Sequence, residues 1–287
     1  MLNKTALITG ATSGIGKAAA IALARKGMNV VIHGRDMQKT KQVVQEIISQ
    51  TGNKNIDYLI ADLFLLSETK QLYEGFRQKY NSLDILINNA GGIMGVKREN
   101  TPEGFEKTMA LNLLSPFLLT QLFLEMLTQS KDGRVINVSS NSHQLNAKPD
   151  FEDLELKEGY NPLRAYGNAK LFLIWNTQHL KSILEQKSSQ NITINSIHPG
   201  AVATGFGVGS NLGPILNFLG KLFRPMFKTP DQGASTIVYL ATSEEVKNIS
   251  GKYFVDSKLG KVSQKYFTQD HEKQLWEYCL QVTAPYA

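Results

Sequence analysis

Short apolar runs alternate along this chain with longer stretches that have helical periodicity. Strands and helices in this alternating order are typical of βαβ units, in which neighbouring strands run parallel. The runs predict seven strands, at residues 5–9, 29–33, 57–60, 84–87, 134–139, 192–197 and 252–255. Helices are predicted at residues 14–26, 37–50, 67–80, 102–129, 163–187 and 231–242, with Ser67 as an N-cap and a bend at Pro116. The pattern indicates an α/β fold with a doubly wound sheet.

Length and composition limit the class of protein further. A chain of 287 residues suits one large α/β domain or two small ones, and no linker or repeat divides it, so we expect a single domain over residues 1–287. With 42% hydrophobic residues and a net charge of +6, it does not have the composition of a disordered protein. One cysteine excludes a disulfide framework, and the five histidines have no metal-ligand spacing, so we expect no metal.

One segment, residues 205–230, interrupts the alternation. It combines glycine and proline with apolar residues that include Leu212, Phe218 and Phe223. An amphipathic insertion between glycine hinges is typical of a lid over a nonpolar substrate. The alternative is an insertion that simply packs on the core.

The distribution of charged and apolar residues bears on partners and location. Lysine and arginine are scattered, with no run of five, so we expect no nucleic-acid partner. No secretory signal follows Met1. The longest apolar stretch, residues 110–127, contains Asn112 and Glu125 and is predicted to be a buried helix, not a membrane span. These features predict a cytoplasmic protein.

A glycine-rich turn, residues 9–16, joins the first predicted strand to the first helix. Gly10 permits a tight turn, and Gly14 and Gly16 allow backbone and helix to approach a pyrophosphate closely. The helix N-terminus then presents N–H groups and a positive dipole end to the phosphates. The turn predicts dinucleotide binding, with contacts from Gly10, Thr12, Ser13, Gly14, Ile15 and Gly16.

The end of the second strand bears on the choice of dinucleotide. A site that prefers NAD usually places an acid there, to accept from the 2′-hydroxyl of the ribose. This chain has Gly34 in that place, followed by Arg35, whose guanidinium suits a 2′-phosphate. We therefore predict NADP(H). The competing interpretation makes Asp36 the ribose acid and Arg35 a surface residue.

A tyrosine and a lysine are four residues apart in the helix predicted at residues 163–187. Tyr166 and Lys170 therefore lie on one face of that helix. Because an ammonium group favours a neighbouring phenolate, we expect Lys170 to lower the pKa of Tyr166 from its ordinary value of about 10 towards neutrality. Such a tyrosine can protonate an oxygen formed from a carbonyl, or deprotonate an alcohol.

Polar residues follow the fourth and fifth predicted strands, at the edge where a doubly wound sheet binds ligands. The sequence is NNAG at residues 88–91 and NVSS at residues 137–140, with Asn112 in the helix between them. Together with the glycine-rich turn, YGNAK at 166–170 and HPG at 198–200, these motifs resemble the short-chain dehydrogenase/reductase family over residues 4–256. The resemblance implies a Rossmann-like domain with a seven-stranded parallel sheet, and hydride transfer between a nicotinamide and a carbonyl/alcohol pair.

The resemblance also implies catalytic roles. Tyr166 would be the general acid/base, and Lys170 would lower its pKa and hold the nicotinamide ribose. Ser140 would hydrogen-bond the substrate oxygen, with Ser139 as the open alternative. Asn112 would support a water relay to Lys170.

Cofactor contacts and an assembly follow from the same resemblance. Asp62, with Leu63, would approach the adenine. The adenosine side would be lined by Asn89, Ala90 and Gly91, and the nicotinamide side by Pro199, Gly200, Val202 and Thr204. Relatives often pair through the helices that correspond to residues 110–127 and 163–187, which implies a possible homodimer.

The long gap between Ser140 and Tyr166, with FEDL at residues 151–154 inside it, is similar to the retinol dehydrogenase-like branch of the family. That branch favours NADP(H) and bulky apolar carbonyls. The expected function is NADP(H)-dependent interconversion of an apolar aldehyde or ketone and its alcohol. The alternative is a binding protein that senses NADP(H) without turnover. The physiological substrate and the preferred direction stay open.

Overall fold

The computed structural model describes residues 4–187, 191–202 and 227–287. Within these ranges, eight strands form one sheet. The spatial order is β3-β2-β1-β4-β5-β6-β7-β8, and the first seven strands are parallel. The strands are β1 (Thr5–Ile8), β2 (Asn29–Gly34), β3 (Ile56–Ile60), β4 (Ile85–Asn88), β5 (Gly133–Val138), β6 (Ile192–His198), β7 (Tyr253–Val255) and β8 (Lys258–Leu259). The predicted α/β class and the seven parallel strands are confirmed, and β8 adds an antiparallel edge.

Helices cover both faces of the sheet, as the alternating pattern predicts. They are α1 (Gly14–Arg25), α2 (Met37–Thr51), α3 (Leu66–Arg77), α4 (Lys107–Met109), α5 (Ser115–Gln129), α6 (Ser142–Leu145), α7 (Pro162–Gln186), α8 (Pro230–Thr242) and α9 (Gln269–Thr283). One core layer contains Phe76, Phe123 and Trp175, and the other contains Leu23 and Ile237. The central strands β1, β4 and β5 are buried on both faces, which explains their nearly continuous apolar sequence.

Two helix starts differ from the prediction. Helix α3 begins at Leu66, and Ser67 is not its N-cap; the carboxylate of Glu103 accepts from the backbone N–H groups of both residues, at 2.6 and 3.0 Å. Further along, no helix begins at residue 102. The side chain of Glu106 accepts from the backbone of Thr108 and Met109, both at 2.8 Å, so the helix begins after it.

The predicted helix over residues 102–129 is divided by a π-helical turn, Ala110–Leu114. Pro116 lies in the first turn of α5, where its missing N–H costs little, so it does not bend a helix interior. By length and composition, Lys107–Gln129 is compatible with a membrane span, but 72% of its apolar window is buried inside the structure, and such a helix is weak evidence of a span. The cytoplasmic location stays a prediction.

Helix α9 was not predicted from the sequence. It begins after Thr268, whose side chain accepts from the backbone N–H of His271 at 3.0 Å. Its Trp276 packs edge-on against Phe117 of α5, with ring centroids 5.0 Å apart, and lies 4.7 Å from the ring of His179 in α7. Helix α9 therefore packs against both α5 and α7, and the homodimer stays a prediction.

Two predictions fall outside the described residues. Thr204, expected beside the nicotinamide, is one of them. The other is the lid at residues 205–230, of which only residues 227–230 are described. The predictions for this segment therefore stand as they were made from the sequence.

Candidate active site

Helix α7 carries the tyrosine and lysine, and its start fixes where they lie. The side chain of Asn161 accepts from the backbone N–H groups of Leu163 and Arg164, both at 3.0 Å, and Pro162 is the first helical residue. Tyr166 follows near this N-terminus and is 8% exposed. Lys170, one turn later, is 3% exposed, so both side chains are buried at the carboxyl edge of the sheet.

The ammonium group of Lys170 is held at the end of β5. Its Nζ donates to the backbone oxygen of Val138 at 2.9 Å and lies 5.5 Å from the centroid of the Tyr166 ring. Burial lowers the pKa of Lys170 to about 7. A lysine with this pKa changes its charge near neutral pH, which is characteristic of functional sites.

The pKa of Tyr166 differs from the sequence expectation. Burial of the phenol raises its pKa above the ordinary value, and a hydrogen bond with the hydroxyl of Ser140 opposes this shift. That Lys170 lowers the pKa of Tyr166 stays a prediction, and burial leaves Lys170 only partly charged near neutral pH. With these residues alone, Tyr166 is therefore a protonated phenol at neutral pH.

The structure distinguishes the two serines after β5. Ser139 is 2% exposed, and its hydroxyl donates to the backbone oxygen of Lys170 at 2.8 Å. Ser140 is more exposed, accepts from the backbone N–H of Ser142 at 3.2 Å, and hydrogen-bonds Tyr166. Ser139 therefore ties the strand to α7, and Ser140 is the serine beside the reactive phenol.

Asn112 lies in the π-helical turn, a feature often found at functional sites. Its amide donates to the backbone oxygens of Gly92 and Thr108, both at 2.9 Å, and its oxygen accepts from the Gly92 N–H at 3.1 Å. A Cβ atom on Gly91 would lie 2.8 Å from the Asn112 oxygen and 3.1 Å from Lys170 Nζ. Asn112 and Lys170 therefore converge on Gly91, but the predicted relay between them is not tested.

The glycine-rich turn fits a bound pyrophosphate. Gly10 and Gly14 have φ values of 63° and 56°, which favour glycine. A Cβ on Gly16 would come within 2.4 Å of the Asn89 side-chain nitrogen. Ser13 makes no side-chain cap bond, and no acidic residue lies in the first turn of α1. The N-terminus of α1 is thus left available for an anion.

The segment after β4 supports this turn from below. Asn89 donates to the backbone oxygens of Thr9 and Gly10 at 2.8 and 3.1 Å. The Thr9 hydroxyl accepts from the N–H groups of Asn89 and Ala90, both at 2.9 Å. Asn89 and Ala90, predicted to line the adenosine side, therefore also hold the turn in shape.

His33 braces the same turn and was not singled out from the sequence as part of the site. Its Nδ1 accepts from the Gly10 N–H at 3.1 Å, and its Nε2 lies 3.0 Å from the backbone oxygen of Ala61, to which it donates. Burial lowers the pKa of His33 to about 4, so the ring is neutral. Its place at the end of β2, directly before Gly34, was the available signal. Within the described ranges, no three His, Cys, Asp or Glu side chains are grouped as metal ligands.

At the adenosine end, Gly34 occupies the position where a site that prefers NAD usually has an acidic residue. A Cβ on Gly34 would lie 2.3 Å from the Thr40 hydroxyl and 2.4 Å from a methyl group of Thr12, so no side chain fits there without movement. Arg35 is exposed. The carboxylate of Asp36 accepts from the backbone N–H of Lys39 at 2.8 Å and caps α2. Asp36 therefore already has a structural role.

Asp62 and Leu63, the two residues predicted to approach the adenine, lie just after β3. Asp62 is half-buried, and its side chain accepts from the backbone N–H of Phe64 at 3.1 Å. Leu63 is 4% exposed and belongs to the core. The structure thus places Asp62 at the cleft edge, whereas Leu63 points into the protein.

The nicotinamide-side turn follows β6. Gly200 has a φ of 88°, and a Cβ there would lie 2.8 Å from the Lys228 side chain. Lys228 pairs with Asp256 and was not identified from the sequence. Val202 packs against α8, where a Cβ on Gly233 would come within 2.7 Å of it and 3.2 Å of Ile15. Pro199 and Val202 are half-buried beside this contact.

Comparisons with known proteins identify the family of this chain. A family model described as short chain dehydrogenase matches residues 4–212. The human polyprenol dehydrogenase is 36% identical over 290 residues, which cover 98% of this chain and 85% of the relative. The mouse retinol dehydrogenase 12 is 37% identical over 273 residues, covering 95% and 84%. The solved structure of angucycline C-6 ketoreductase LanV with bound NADP is 30% identical, with a TM-score of 0.67 and coverage of 88% and 93%.

Proposed function

This chain belongs to the short-chain dehydrogenase family, and on that premise we propose that it interconverts an apolar aldehyde or ketone and its alcohol with NADP(H). It is an oxidoreductase that acts on CH–OH groups. The observation that carries the proposal is the buried Tyr166, which is hydrogen-bonded to Ser140 and has the Lys170 ammonium over its ring, 5.5 Å from the centroid. This group of residues can move one proton to or from a substrate oxygen.

The proton chemistry follows from the surroundings of the phenol. When bound, the nicotinamide supplies or accepts the hydride at the carbonyl carbon. In the reductive direction, Tyr166 donates its proton to the oxygen, and burial keeps the phenol protonated for this step. The Ser140 hydroxyl donates to the same oxygen as negative charge develops there. Lys170, with a pKa of about 7, supplies positive charge beside the phenol when it is protonated.

The preference for NADP(H) is supported by the adenosine end of the cleft. Gly34 leaves no room for a ribose-binding acid, and Asp36 caps α2. Arg35 is exposed beside them and can pair with a 2′-phosphate. The residues that would hold the rest of the dinucleotide are the glycine-rich turn and the segment Pro199–Val202.

An apolar substrate is supported by the relatives' names. Polyprenol and retinol are long apolar alcohols, and the relatives named for them match this chain over 95% or more of its length. The apolar letters of residues 205–230 favour the same class.

The experiment is a spectrophotometric assay of NADPH oxidation over a panel of apolar aldehydes and ketones that includes decanal and retinal. We expect turnover with NADPH to exceed turnover with NADH. Tyr166→Phe should lower kcat by about 10²–10⁴-fold, because the proton donor is lost, and leave NADPH binding nearly intact. Full kcat in Tyr166→Phe would refute the catalytic assignment. Tight NADPH binding without turnover on any carbonyl would favour a protein that senses NADP(H).

A further inference from the structure

A second tyrosine of the active-site region has no role in the reaction described above. Tyr253 is the first residue of β7 and is 3% exposed. Its hydroxyl has no hydrogen-bond partner among residues 4–187, 191–202 and 227–287. A buried hydroxyl without a partner costs free energy and is rare in folded proteins. Such a group at a binding site points to a ligand atom as its partner.

The ring of Tyr253 is fixed beside Ser140 by packing. The His143 ring meets it edge to face, with centroids 4.9 Å apart, and His143 Nδ1 lies 2.7 Å from the backbone oxygen of Ser140. A Cβ on Gly260, the residue after β8, would lie 2.9 Å from the Tyr253 ring, so glycine lets the backbone approach the ring this closely. The position of the hydroxyl is therefore set by rigid elements.

The hydroxyl of Tyr253 is a donor near the reactive phenol. The His143 ring that contacts Tyr253 belongs to α6, and α6 packs against α7 beside Tyr166, where a Cβ on Gly167 would lie 2.9 Å from the Ser142 backbone oxygen. Burial and the nearby Tyr166 both raise the pKa of Tyr253, so its hydroxyl stays protonated. A protonated phenol donates one hydrogen bond. A carbonyl oxygen has two lone pairs, and Ser140 and Tyr166 already match both of them. The hydroxyl of Tyr253 is therefore available to donate a hydrogen bond to a different oxygen.

We propose that Tyr253 is a substrate-positioning residue whose hydroxyl donates a hydrogen bond to a second oxygen of the substrate, separate from the reacting carbonyl. The substrate class is then an otherwise apolar carbonyl compound with a second carbonyl or hydroxyl group near the first. This inference rests on the proposed function, since Ser140 and Tyr166 are taken to bind the reacting oxygen. It adds a basis for choosing among apolar carbonyls.

The kinetic test uses matched substrates: 2-hexanone and the 2,3-, 2,4- and 2,5-hexanediones. For each dione, kcat/KM is divided by that of 2-hexanone, first for the wild-type enzyme and then for Tyr253→Phe. Intrinsic differences in carbonyl reactivity cancel when the two ratios are compared. We expect the ratio to fall about 3–10-fold in Tyr253→Phe for at least one dione, mainly through KM, which is the usual effect of one neutral hydrogen bond.

Tyr80→Phe is the matched control. The Tyr80 hydroxyl donates to the Asp57 carboxylate at 3.0 Å, far from the catalytic helix in the fold. Its loss should lower the unfolding temperature and leave every substrate ratio unchanged. Tyr253→Phe removes no hydrogen bond that the described part of the chain makes, so its unfolding temperature should equal or exceed that of the wild type. NADPH affinity, measured by fluorescence titration, should not change in either variant.

Each outcome decides the inference. Unchanged ratios for all three diones would overturn it. A lower unfolding temperature in Tyr253→Phe, as in Tyr80→Phe, would also overturn it, because the hydroxyl would then have a partner within the folded chain. If the wild-type enzyme reduces no carbonyl, the proposed function fails, and this role for Tyr253 fails with it. The unfolding temperature of Tyr253→Phe still shows whether the hydroxyl has a partner within the folded chain.

Discussion

Replacing Ser139 or Ser140 by alanine should have similar effects on stability but very different effects on activity. Ser139→Ala removes the hydrogen bond to the Lys170 backbone oxygen at 2.8 Å. Ser140→Ala removes the one to the Tyr166 phenol and the one that Ser140 accepts from the Ser142 N–H at 3.2 Å. Each lost hydrogen bond should cost about 1 kcal/mol of unfolding free energy. For a chain of this size, that corresponds to about 2–4 °C in Tm for each bond. The Tm values of the two variants should therefore lie within a few degrees of each other.

Their activities should differ widely. Ser140 donates to the oxygen on which charge develops, and removing one such donor lowers kcat by about 10²–10³-fold. Ser139→Ala keeps Ser140, Tyr166 and Lys170 in place, so its kcat should stay within about 3-fold of the wild type, the effect of a loss below 1 kcal/mol. Because the Ser140 hydrogen bond opposes the raised pKa of Tyr166, that pKa should rise further in Ser140→Ala.

The assay combines thermal unfolding of both variants with NADPH oxidation on the best substrate of the panel. Circular dichroism should show equal secondary structure, so that a loss of kcat reflects chemistry. The reasoning would be refuted if Ser139→Ala lost activity and Ser140→Ala kept it. It would also fail if both lost activity equally, since Ser139 would then act on the substrate or control the position of Lys170.

Three further predictions concern the cofactor, pH and assembly. Arg35→Ala should raise the Kd of NADPH about 10–100-fold, the effect of losing one charge-assisted hydrogen bond, and leave the Kd of NADH unchanged. Fluorescence titration checks this, with Arg25→Ala as the control variant. Equal weakening of NADPH and NADH binding would contradict the assignment of Arg35. Burial lowers the pKa of His33 to about 4 from its ordinary 6.5, so the unfolded chain takes up the proton first as pH falls. The unfolding free energy should therefore drop between these values, by about 3 kcal/mol from this group; denaturant unfolding should show a smaller drop in His33→Gln, and an equal drop would exclude His33 as a source. The possible homodimer stays a prediction from the family resemblance: light scattering at micromolar concentration should show twice the mass of a single chain, and a monomer would contradict it.

The parallel sheet was predictable because its central strands are buried on both faces and their sequences are almost continuously apolar. The short strand β8 was missed for a local reason. Its hairpin turn has φ values of 51° at Asp256 and 60° at Ser257, and such turns are usually recognised by asparagine and glycine. Helix α9 was missed because only a narrow stripe of it is buried, including Leu275, Trp276 and Cys279.

The site residues were predictable from their motifs, whereas their electrostatics were not. Spacing places Tyr166 and Lys170 on one face, but the direction of a pKa shift depends on burial, which arises from tertiary packing. The choice between Ser139 and Ser140 likewise depends on which hydroxyl meets the backbone of α7. His33 is recognised only through its contacts with Gly10 and Ala61, and Tyr253 only through its contact with His143 of α6, all distant in sequence.

The function proposed for this chain is the transfer of a hydride from NADPH to a carbonyl carbon. The most direct measurement uses NADPH labelled with deuterium at C4 of the nicotinamide, in each of the two configurations, with the best carbonyl of the panel. Mass spectrometry of the alcohol should find one deuterium on the former carbonyl carbon with one of the two labelled cofactors, and none with the other. Unlabelled alcohol from both cofactors would contradict the account.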